Sequence, residues 1–227
     1  MFEGKLTVCE NAETLARLAA DLVRQTIEAC VQQQGACSIA LPGGATPARC
    51  LQNLAADKLP WPSLQWFMGD ERCLPVGDIA RNDTMIRQTL FAGNAQAVKN
   101  FHPIDAELGA ETAAQRYSAL VDAVGRFDLI LLGMGEDGHT ASLFPGNKAL
   151  QDTRPAVPVF DAPKPPPERV SLGLKTLTAA RQRIILVAGS NKHAALKRIK
   201  HGEQLPVNCL GESHWFIDRE AAGDLFD

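Results

Sequence analysis

The chain has 227 residues, of which 45% are hydrophobic and 22% are charged, and its formal net charge is −3 at pH 7. These values are typical of a globular protein that buries a core without disulfide or metal staples, and they exclude a disordered chain. No run approaches about eighteen apolar residues, which excludes a membrane-spanning helix. The negative net charge argues against general affinity for nucleic acids.

The amino-terminal residues and the cysteines indicate the compartment. Residues 1–14 contain no basic segment followed by an apolar stretch, so we expect no secretory signal and a cytoplasmic protein. The cysteines are scattered and include no C-x-x-C pair, so we expect reduced thiols. They are Cys9, Cys30, Cys37, Cys50, Cys73 and Cys209.

The first part of the chain alternates between apolar runs and amphipathic stretches. Residues 5–9 predict a strand, and Asn11 is expected to cap a long helix after it. Residues 38–41 predict a short buried strand. Thr46 is then expected to cap a second helix, with Pro47 at the favoured first helical position. Apolar residues recur near a helical period in the first helix at Leu15, Leu18, Leu22, Ile27 and Val31.

The middle of the chain continues this alternation. Residues 64–68 predict a strand that enters a charged turn at residues 69–72. Residues 82–90 and 111–124 predict two helices. The run FDLILL at residues 127–132 predicts a central strand, because a continuous apolar run suits a parallel sheet that is buried on both faces.

The last part of the chain begins with a proline-rich segment. Residues 154–169 carry six prolines, which exclude a helix or a central strand, so the segment is a linker or, as we favour, a stiff loop beside the site. Residues 170–174 and 184–188 predict two strands. Residues 192–200 predict a helix, and residues 214–217 predict a last short strand.

This order of elements predicts an α/β protein with a largely parallel central sheet flanked by helices. There are no internal repeats, and we expect residues 1–227 to form a single domain. Ligands of such sheets bind outside the carboxyl ends of the strands. The loops that follow strands are therefore the candidates for function.

The segment PGGATP at residues 42–47 lies between a predicted strand and a predicted helix. Its glycines let the backbone approach a ligand closely, and a helix N-terminus presents unpaired N–H groups to an anion. The Lys-Ser/Thr ending of a nucleotide P-loop is missing. The segment predicts either a phosphate cradle or an ordinary turn between a strand and a helix.

The segment GMGEDGH at residues 133–139 directly follows a predicted strand and matches G-x-G-x-x-G. A dinucleotide site is therefore an alternative. Glu136 and Asp137, however, would place two negative charges where a pyrophosphate lies. About twenty residues further on, where a ribose-binding acid belongs, the chain enters its proline-rich segment. Both features argue against a dinucleotide.

The same loop predicts an active site. A histidine exchanges protons near neutral pH, so neutral His139 is a candidate general base. Asp137, two residues earlier, is expected to orient the imidazole or to stabilise its charged form. Because glycines and acids flank His139 on a loop after a strand, we favour catalysis over a structural role.

Other chemistry has less support in the sequence. Asp137 and His139 are potential metal ligands, but the other histidines show no H-x-x-x-H spacing, so we expect neither a metal nor a cofactor. Ser142 is not in a G-x-S-x-G elbow, which argues against a serine nucleophile. Charged residues 70–72 are open to two interpretations, a contribution to the site or a surface ion cluster.

Basic residues are concentrated between positions 164 and 200, a segment that contains nine Lys or Arg residues and a single acidic residue, Glu168. Most of these cations are expected to be solvated. A local site for an anionic ligand needs only two or three of them.

Five motifs occur in order within residues 41–196, namely PGGATP, GDERCLP, GMGEDGHTASLFPG, RVSLGL and AGSNKHAAL. Together they resemble the 6-phosphogluconolactonase family, which belongs to a broader group that includes glucosamine-6-phosphate deaminase. The resemblance implies the modified Rossmann-like fold of that group, which includes ribose-5-phosphate isomerase and CoA transferases. It also implies metal-free hydrolysis of 6-phosphoglucono-δ-lactone to 6-phosphogluconate in the pentose phosphate pathway.

The resemblance further implies roles for individual residues. It makes Asp137 and His139 the catalytic pair, and it places Asp70 and Arg72 beside the sugar. It assigns the phosphate contacts to Gly43, Gly44, Ala45, Thr46, Arg169 and Lys192.

The chain departs from the family pattern at a few positions. Family members often carry Ser-Asn where Arg81 and Asn82 stand, and they tend to have Thr and Pro near Gly173 and Lys175. We expect these departures to change the fine shape of the pocket and not the reaction.

Two other functions are alternatives. Glucosamine-6-phosphate deaminases have Asn-Glu-Pro where this chain has Leu143, Phe144 and Pro145, and a phenylalanine cannot transfer protons. A sugar-sensing domain of a transcription regulator would bind without turnover, but the about 40 residues before PGGATP leave little room for a helix-turn-helix unit. We expect a small phosphosugar lactone as substrate, no nucleic-acid or membrane partner, and a monomer or weak homodimer.

Overall fold

The computed structural model describes residues 2–226, which form ten strands and eight α-helices. The strands are β1 (Gly4–Cys9), β2 (Cys37–Leu41), β3 (Leu64–Met68), β4 (Asp70–Arg72), β5 (Phe101–His102), β6 (Leu129–Gly133), β7 (Ala156–Val159), β8 (Arg169–Leu172), β9 (Gln182–Val187) and β10 (Ser213–Asp218). The helices are α1 (Ala12–Gln34), α2 (Ala45–Ala55), α3 (Asn82–Thr89), α4 (Ala95–Val98), α5 (Ala110–Val124), α6 (Leu174–Ala179), α7 (His193–Lys200) and α8 (Arg219–Ala222).

Seven of these strands form one parallel sheet in the order β1-β10-β9-β6-β2-β3-β5. Its central strands are apolar and buried on both faces, as Ile39, Leu131 and Ile185 illustrate with 0% exposure. Helices connect successive strands because parallel neighbours need a crossover. The predicted α/β architecture with a largely parallel sheet is confirmed.

Helix α1 follows its sequence signals closely. The side chain of Asn11 accepts a hydrogen bond from the backbone N–H of Thr14 at 2.9 Å, which caps the first turn. The helix ends at Gly35, whose φ of 81° is a conformation that favours glycine. Leu15 and Ile27 are buried against the sheet, as the helical spacing of the apolar residues predicts.

A second, antiparallel sheet in the order β4-β8-β7 corrects two predictions. The charged residues expected in a turn form β4, because they pair with β8. The proline-rich segment contains β7 at the edge of this sheet, where Pro158 is tolerated because an edge strand has unpaired positions. The strand predicted at residues 170–174 is β8 and belongs to this sheet.

The shortest elements escape sequence-based prediction. β5, α4, α6 and α8 have two to six residues each, which is too short for a periodic pattern to emerge. All six cysteines are free thiols, as expected. No helix within residues 2–226 combines the length and apolar character that crossing a membrane requires.

Candidate active site

A cleft of about 520 Å³ opens at the carboxyl ends of the central strands. β2 lies between β3 and β6, so the loops that follow β2 and β6 leave neighbouring strands where the strand order reverses. Parallel sheets bind ligands at such a switch point. Residues that follow β9 and part of the proline-rich segment complete the lining. The proline-rich segment therefore lies beside the site as expected, although part of it is the strand β7.

The loop after β2 presents the N-terminus of α2 to the cleft. Gly43, Gly44, Ala45 and Thr46 all line it. Gly44 is the N-cap of α2 and has a φ of 100°, which favours glycine. Within residues 2–226, no side chain caps this helix. Its first N–H groups and the positive end of its dipole are therefore available to an anion in the cleft.

The prediction that Thr46 caps this helix is wrong. The helix begins at Ala45, so Thr46 is its second residue and Pro47 its third. Pro47 is tolerated there because N–H groups of the first turn have no partner inside the helix. A hydroxyl-bearing cap would satisfy these N–H groups itself, whereas Gly44 leaves them open to a ligand.

His139 and Asp137 form a close pair on the loop after β6. Nδ1 of His139 lies 2.5 Å from Oδ1 of Asp137, and the backbone N–H of His139 donates to the same oxygen at 3.1 Å. The carboxylate favours the tautomer with its proton on Nδ1, so Nε2 is left to accept a proton. Burial opposes ionisation of Asp137, but its interactions with His139 outweigh burial and lower the pKa of Asp137 to about 2.

Gly135 lets the imidazole lie directly against the backbone. A Cβ atom on Gly135 would lie 2.0 Å from Nδ1 and 2.1 Å from Cε1 of His139. The backbone N–H of Gly135 also donates to the carbonyl of His139 at 2.8 Å, which closes the turn. The glycine pattern that resembles a dinucleotide motif thus shapes a histidine loop.

Phe144 forms the wall behind the imidazole. The centroid of its ring lies 4.3 Å from that of His139, and the residue is 2% exposed. The guanidinium carbon of Arg169 lies 5.3 Å from the Phe144 centroid. The side chain that contacts the histidine at this position therefore has no group that transfers a proton.

Cations border the cleft on the side of the proline-rich segment. Arg169 is 5% exposed and donates from Nη2 to the carbonyl of Lys164 at 2.7 Å. Burial lowers the pKa of Arg169 and also that of Lys192. Lys164 lines the cleft as well and forms an ion pair with Glu136 at 3.4 Å. An anion bound here would offset the cost of burying these cations.

Asp70 and Arg72 enter the cleft from β4, where Arg72 pairs with Arg169 of β8. Asp70 is 5% exposed. Its Oδ2 accepts a hydrogen bond from Oγ of Ser142 at 2.6 Å, and its Oδ1 accepts one from Nδ2 of Asn82 at 3.2 Å. The charged segment is therefore part of the site and not a surface ion cluster.

Arg81 and Gly173 lie at two of the positions where the chain departs from the family pattern. Arg81 does not line the cleft and is 2% exposed, with ion pairs to Asp83 at 2.8 Å and Glu107 at 2.9 Å. It secures the start of α3. A Cβ atom on Gly173 would lie 2.3 Å from the carbonyl oxygen of Arg154, so a larger residue there requires a shift of the backbone.

The cleft also contains residues to which the sequence assigned no site role, among them Asn82, Lys164 and Asn191. Asn82 lies against Gly43, because a Cβ atom on that glycine would be 1.8 Å from Oδ1 of Asn82. Chain folding alone brings Asn82 to this place. A single lysine in a proline-rich segment likewise has no spacing that predicts a site.

Potential metal ligands lie together elsewhere in residues 2–226. Cys30, Cys37 and Asp128 have ligand atoms within 4.8 Å of one another. The carboxylate of Asp128, however, accepts hydrogen bonds from Gln34 and from two donors of Ser38, and it pairs with an arginine. These partners occupy its lone pairs, and burial raises the pKa of both thiols. The group is therefore a poor ligand set for a cation.

The structure brings together almost all the site residues proposed from the sequence. Of these residues, only Asp137 is not part of the cleft lining. It lines a neighbouring cavity of about 630 Å³ and contacts His139 from that side. The predicted site residues that line the cleft are Gly43, Gly44, Ala45, Thr46, Asp70, Arg72, His139, Arg169 and Lys192.

The fold and this cleft define an α/β protein of the modified Rossmann-like class, in which a histidine paired with an aspartate and the uncapped N-terminus of α2 line the same cleft. Residues 10–217 match the family model described as glucosamine-6-phosphate isomerases/6-phosphogluconolactonase, and the chain belongs to this family.

Similar proteins include members named for the lactonase. A 6-phosphogluconolactonase of Rattus norvegicus is 34% identical over 96% of this chain and 93% of its own length. One of Streptomyces coelicolor is 34% identical over 97% of this chain and 94% of its own length. The solved 6-phosphogluconolactonase of Thermotoga maritima superposes with a TM-score of 0.87 at 26% identity, covering 95% of this chain and 100% of the other.

Proposed function

We propose that this chain is a 6-phosphogluconolactonase, which hydrolyses 6-phosphoglucono-δ-lactone to 6-phosphogluconate in the pentose phosphate pathway. The observation that carries the proposal is the 2.5 Å contact between Nδ1 of His139 and Asp137, with the ring on the wall of a cleft that also holds Arg169 and Lys192. One cleft thus combines an oriented base with an anion site. The names of the similar proteins support the same reaction.

His139 acts as a general base and then as a general acid. Nε2 takes a proton from water while the water oxygen forms a bond to C1 of the lactone. The tetrahedral intermediate then breaks the bond between C1 and the ring oxygen, and His139 returns the proton to that oxygen. The carboxylic acid product ionises at neutral pH, so each turnover releases one proton. A positioned base of this kind accelerates a reaction by roughly 10²–10⁴-fold.

Asp137 holds the imidazole in the required tautomer and stabilises its charged form during the reaction. The low pKa of Asp137, about 2, keeps this carboxylate ionised at neutral pH. A δ-lactone is an activated ester that already hydrolyses slowly in water, so the reaction demands no covalent nucleophile.

The phosphate of the substrate binds between the first turn of α2 and the cations Arg169 and Lys192. A helix N-terminus and an arginine side chain are both suited to phosphate oxygens. Holding the substrate by this remote group orients C1 at His139, which is the contribution of proximity to the rate. Asp70 and Arg72 border the sugar between the two ends.

Deamination of glucosamine 6-phosphate is the alternative reaction within the family. It needs an acid that assists ring opening, and this chain has Phe144, which packs on the ring of His139 at 4.3 Å. The environment of the histidine favours hydrolysis over an isomerising deamination.

Proton release from freshly prepared 6-phosphogluconolactone tests the proposal, with glucosamine 6-phosphate assayed alongside. We expect rapid release with the lactone and no ammonia from the amino sugar. His139→Ala is expected to abolish lactonase activity, whereas His201→Ala, which changes an exposed histidine, is expected to retain it. Near-wild-type turnover by His139→Ala at unchanged thermal stability would contradict the mechanism.

We also propose a cytoplasmic location and a monomer or weak homodimer, with no nucleic-acid partner. Cell fractionation tests the location. Sedimentation velocity over a range of concentrations tests the assembly.

A further inference from the structure

The carboxylate of Asp70 is held from two sides by buried donors. Ser142, on the loop that carries His139, donates its hydroxyl to Oδ2 at 2.6 Å. Asn82, the first residue of α3, donates Nδ2 to Oδ1 at 3.2 Å and to the backbone carbonyl of Asp70 at 2.9 Å. The exposures of Asp70, Ser142 and Asn82 are 5%, 0% and 2%. The network is therefore sealed from solvent except where Asp70 and Asn82 line the cleft.

These contacts join three segments that form different walls of the cleft. Ser142 belongs to the histidine loop, Asp70 to β4, and Asn82 lies against Gly43 of the glycine loop. Seventy-two positions separate Ser142 from Asp70 in the sequence. The hydrogen bond between them is thus a direct tie between the wall that carries the base and the wall that borders the sugar.

The two donors leave some lone-pair positions of the Asp70 carboxylate free to accept hydrogen bonds from a ligand. An ionised carboxylate has about four lone-pair positions, and Ser142 and Asn82 occupy one on each oxygen. The remaining positions are available to hydroxyl groups in the cleft.

Ser142 itself is outside the lining of the cleft, as the described residues define it, and is fully buried. Its hydroxyl proton is committed to Asp70, and its backbone N–H donates to Oγ of Ser171 at 3.3 Å. A buried hydroxyl at 0% exposure cannot attack a substrate carbonyl. Any effect of Ser142 on the reaction must act through another residue.

We propose that Ser142 is a positioning residue for lactone hydrolysis. Its hydroxyl orients the carboxylate of Asp70 toward the sugar hydroxyls. It also holds β4 at a fixed position relative to the loop that carries His139. The inference rests on the proposed function, because it assigns Asp70 to the sugar of the lactone.

The first test is Ser142→Ala, assayed by proton release. Loss of one hydrogen bond to a charged group is expected to lower kcat/KM by roughly 10–100-fold. The factor should be the same for 6-phosphogluconolactone and for unphosphorylated gluconolactone, because the phosphate binds elsewhere. Ser142→Thr, which keeps the hydroxyl, should recover most of the activity. Ser118→Ala is the matched control, since it removes a half-buried serine whose hydroxyl donates to the backbone carbonyl of Ala156 at 2.9 Å and not to Asp70.

The decisive test is a double-mutant cycle with Asp70→Ala. If Ser142 acts through Asp70, adding Ser142→Ala to Asp70→Ala should cost less than a further twofold. Equal losses in both backgrounds, or a Ser142→Ala enzyme within twofold of the wild type, would overturn the proposal. Should Ser142→Ala unfold at the assay temperature, Ser142→Cys takes its place, because a thiol fills the site but is a weak donor.

The outcome is separable from failure of the proposed function. If the wild type does not hydrolyse the lactone, the function itself is wrong. If the wild type is active and His139→Ala is inactive while Ser142→Ala is unaffected, the inference about Ser142 alone fails.

Discussion

Gly135 offers the sharpest test of how the histidine is placed. Its backbone has no left-handed conformation, so an alanine there introduces no strain of its own. The added Cβ, however, would lie 2.0 Å from Nδ1 of His139 and 2.8 Å from Oδ1 of Asp137, whereas ordinary contact begins at 3.4 Å. The imidazole must therefore move by more than about 1 Å and separate from its carboxylate.

A displacement of this size at a catalytic group costs roughly 100-fold in rate. Loss of the charge-assisted hydrogen bond between Nδ1 and Oδ1 adds to that cost. We expect Gly135→Ala to lower kcat for lactone hydrolysis by at least about 100-fold, with a small change in KM, because the phosphate contacts stay in place. Proton release under saturating lactone measures kcat, and inorganic phosphate as a competitive inhibitor reports on the anion site.

Gly133→Ala, at the last residue of β6 and two positions before Gly135, is the matched control. Its Cβ would come no nearer than 3.8 Å to another atom, at Cγ of Pro47, so space is available. We expect activity within threefold of the wild type. If Gly135→Ala also kept activity within threefold, the imidazole would not need its observed position, and the argument from the His139 geometry would be refuted.

Three further predictions concern the proposed catalytic pair and the proposed anion site. Asp137→Asn keeps the shape of the side chain but offers N–H donors to Nδ1, which favours the wrong tautomer, so kcat should fall by roughly 10²–10⁴-fold in the same assay. Because the pKa of Asp137 is lowered from 3.8 to about 2 in the folded protein, its carboxylate stabilises the fold above pH 3.8, and this stability is lost as the pH falls toward 2. With 37% of the side chain exposed, the screened contribution is about 1 kcal/mol, and urea unfolding of wild type and Asp137→Asn should differ by this amount at pH 6 and converge near pH 2. Arg169→Ala should raise KM for the phosphorylated lactone by roughly 10–100-fold and leave unphosphorylated gluconolactone little changed, so equal effects on both would remove the phosphate role.

Short-range sequence patterns predict much of the loop that contains Asp137 and His139. Asp137 and His139 are two residues apart, so a turn with small residues is enough to bring their side chains together. A strand before the loop and a helix after PGGATP are also readable, because burial and helix capping act over a few residues. The position of both loops at the carboxyl edge of the sheet then follows from parallel topology.

Short-range patterns do not predict which distant segments pair as strands. Residues 70–72 look like a charged turn in sequence, and they form a strand only because β8 supplies a partner about a hundred residues later. Pro158 argues against a strand, yet an edge position in the same small sheet accommodates it. Thr46 has the side chain of a helix cap, but Gly44, with its positive φ, takes that position, and the helix starts two residues earlier than predicted.

The sequence by itself determined the fold class, the family resemblance and the candidate base, since each depends on short motifs and local patterns. Tertiary structure alone decided which groups support them. The hydroxyl of Ser142 reaches Asp70 at 2.6 Å, and Asn82 lies against Gly43, only after the two sheets pack together. Such contacts depend on the relative placement of whole strands, which no short-range pattern encodes.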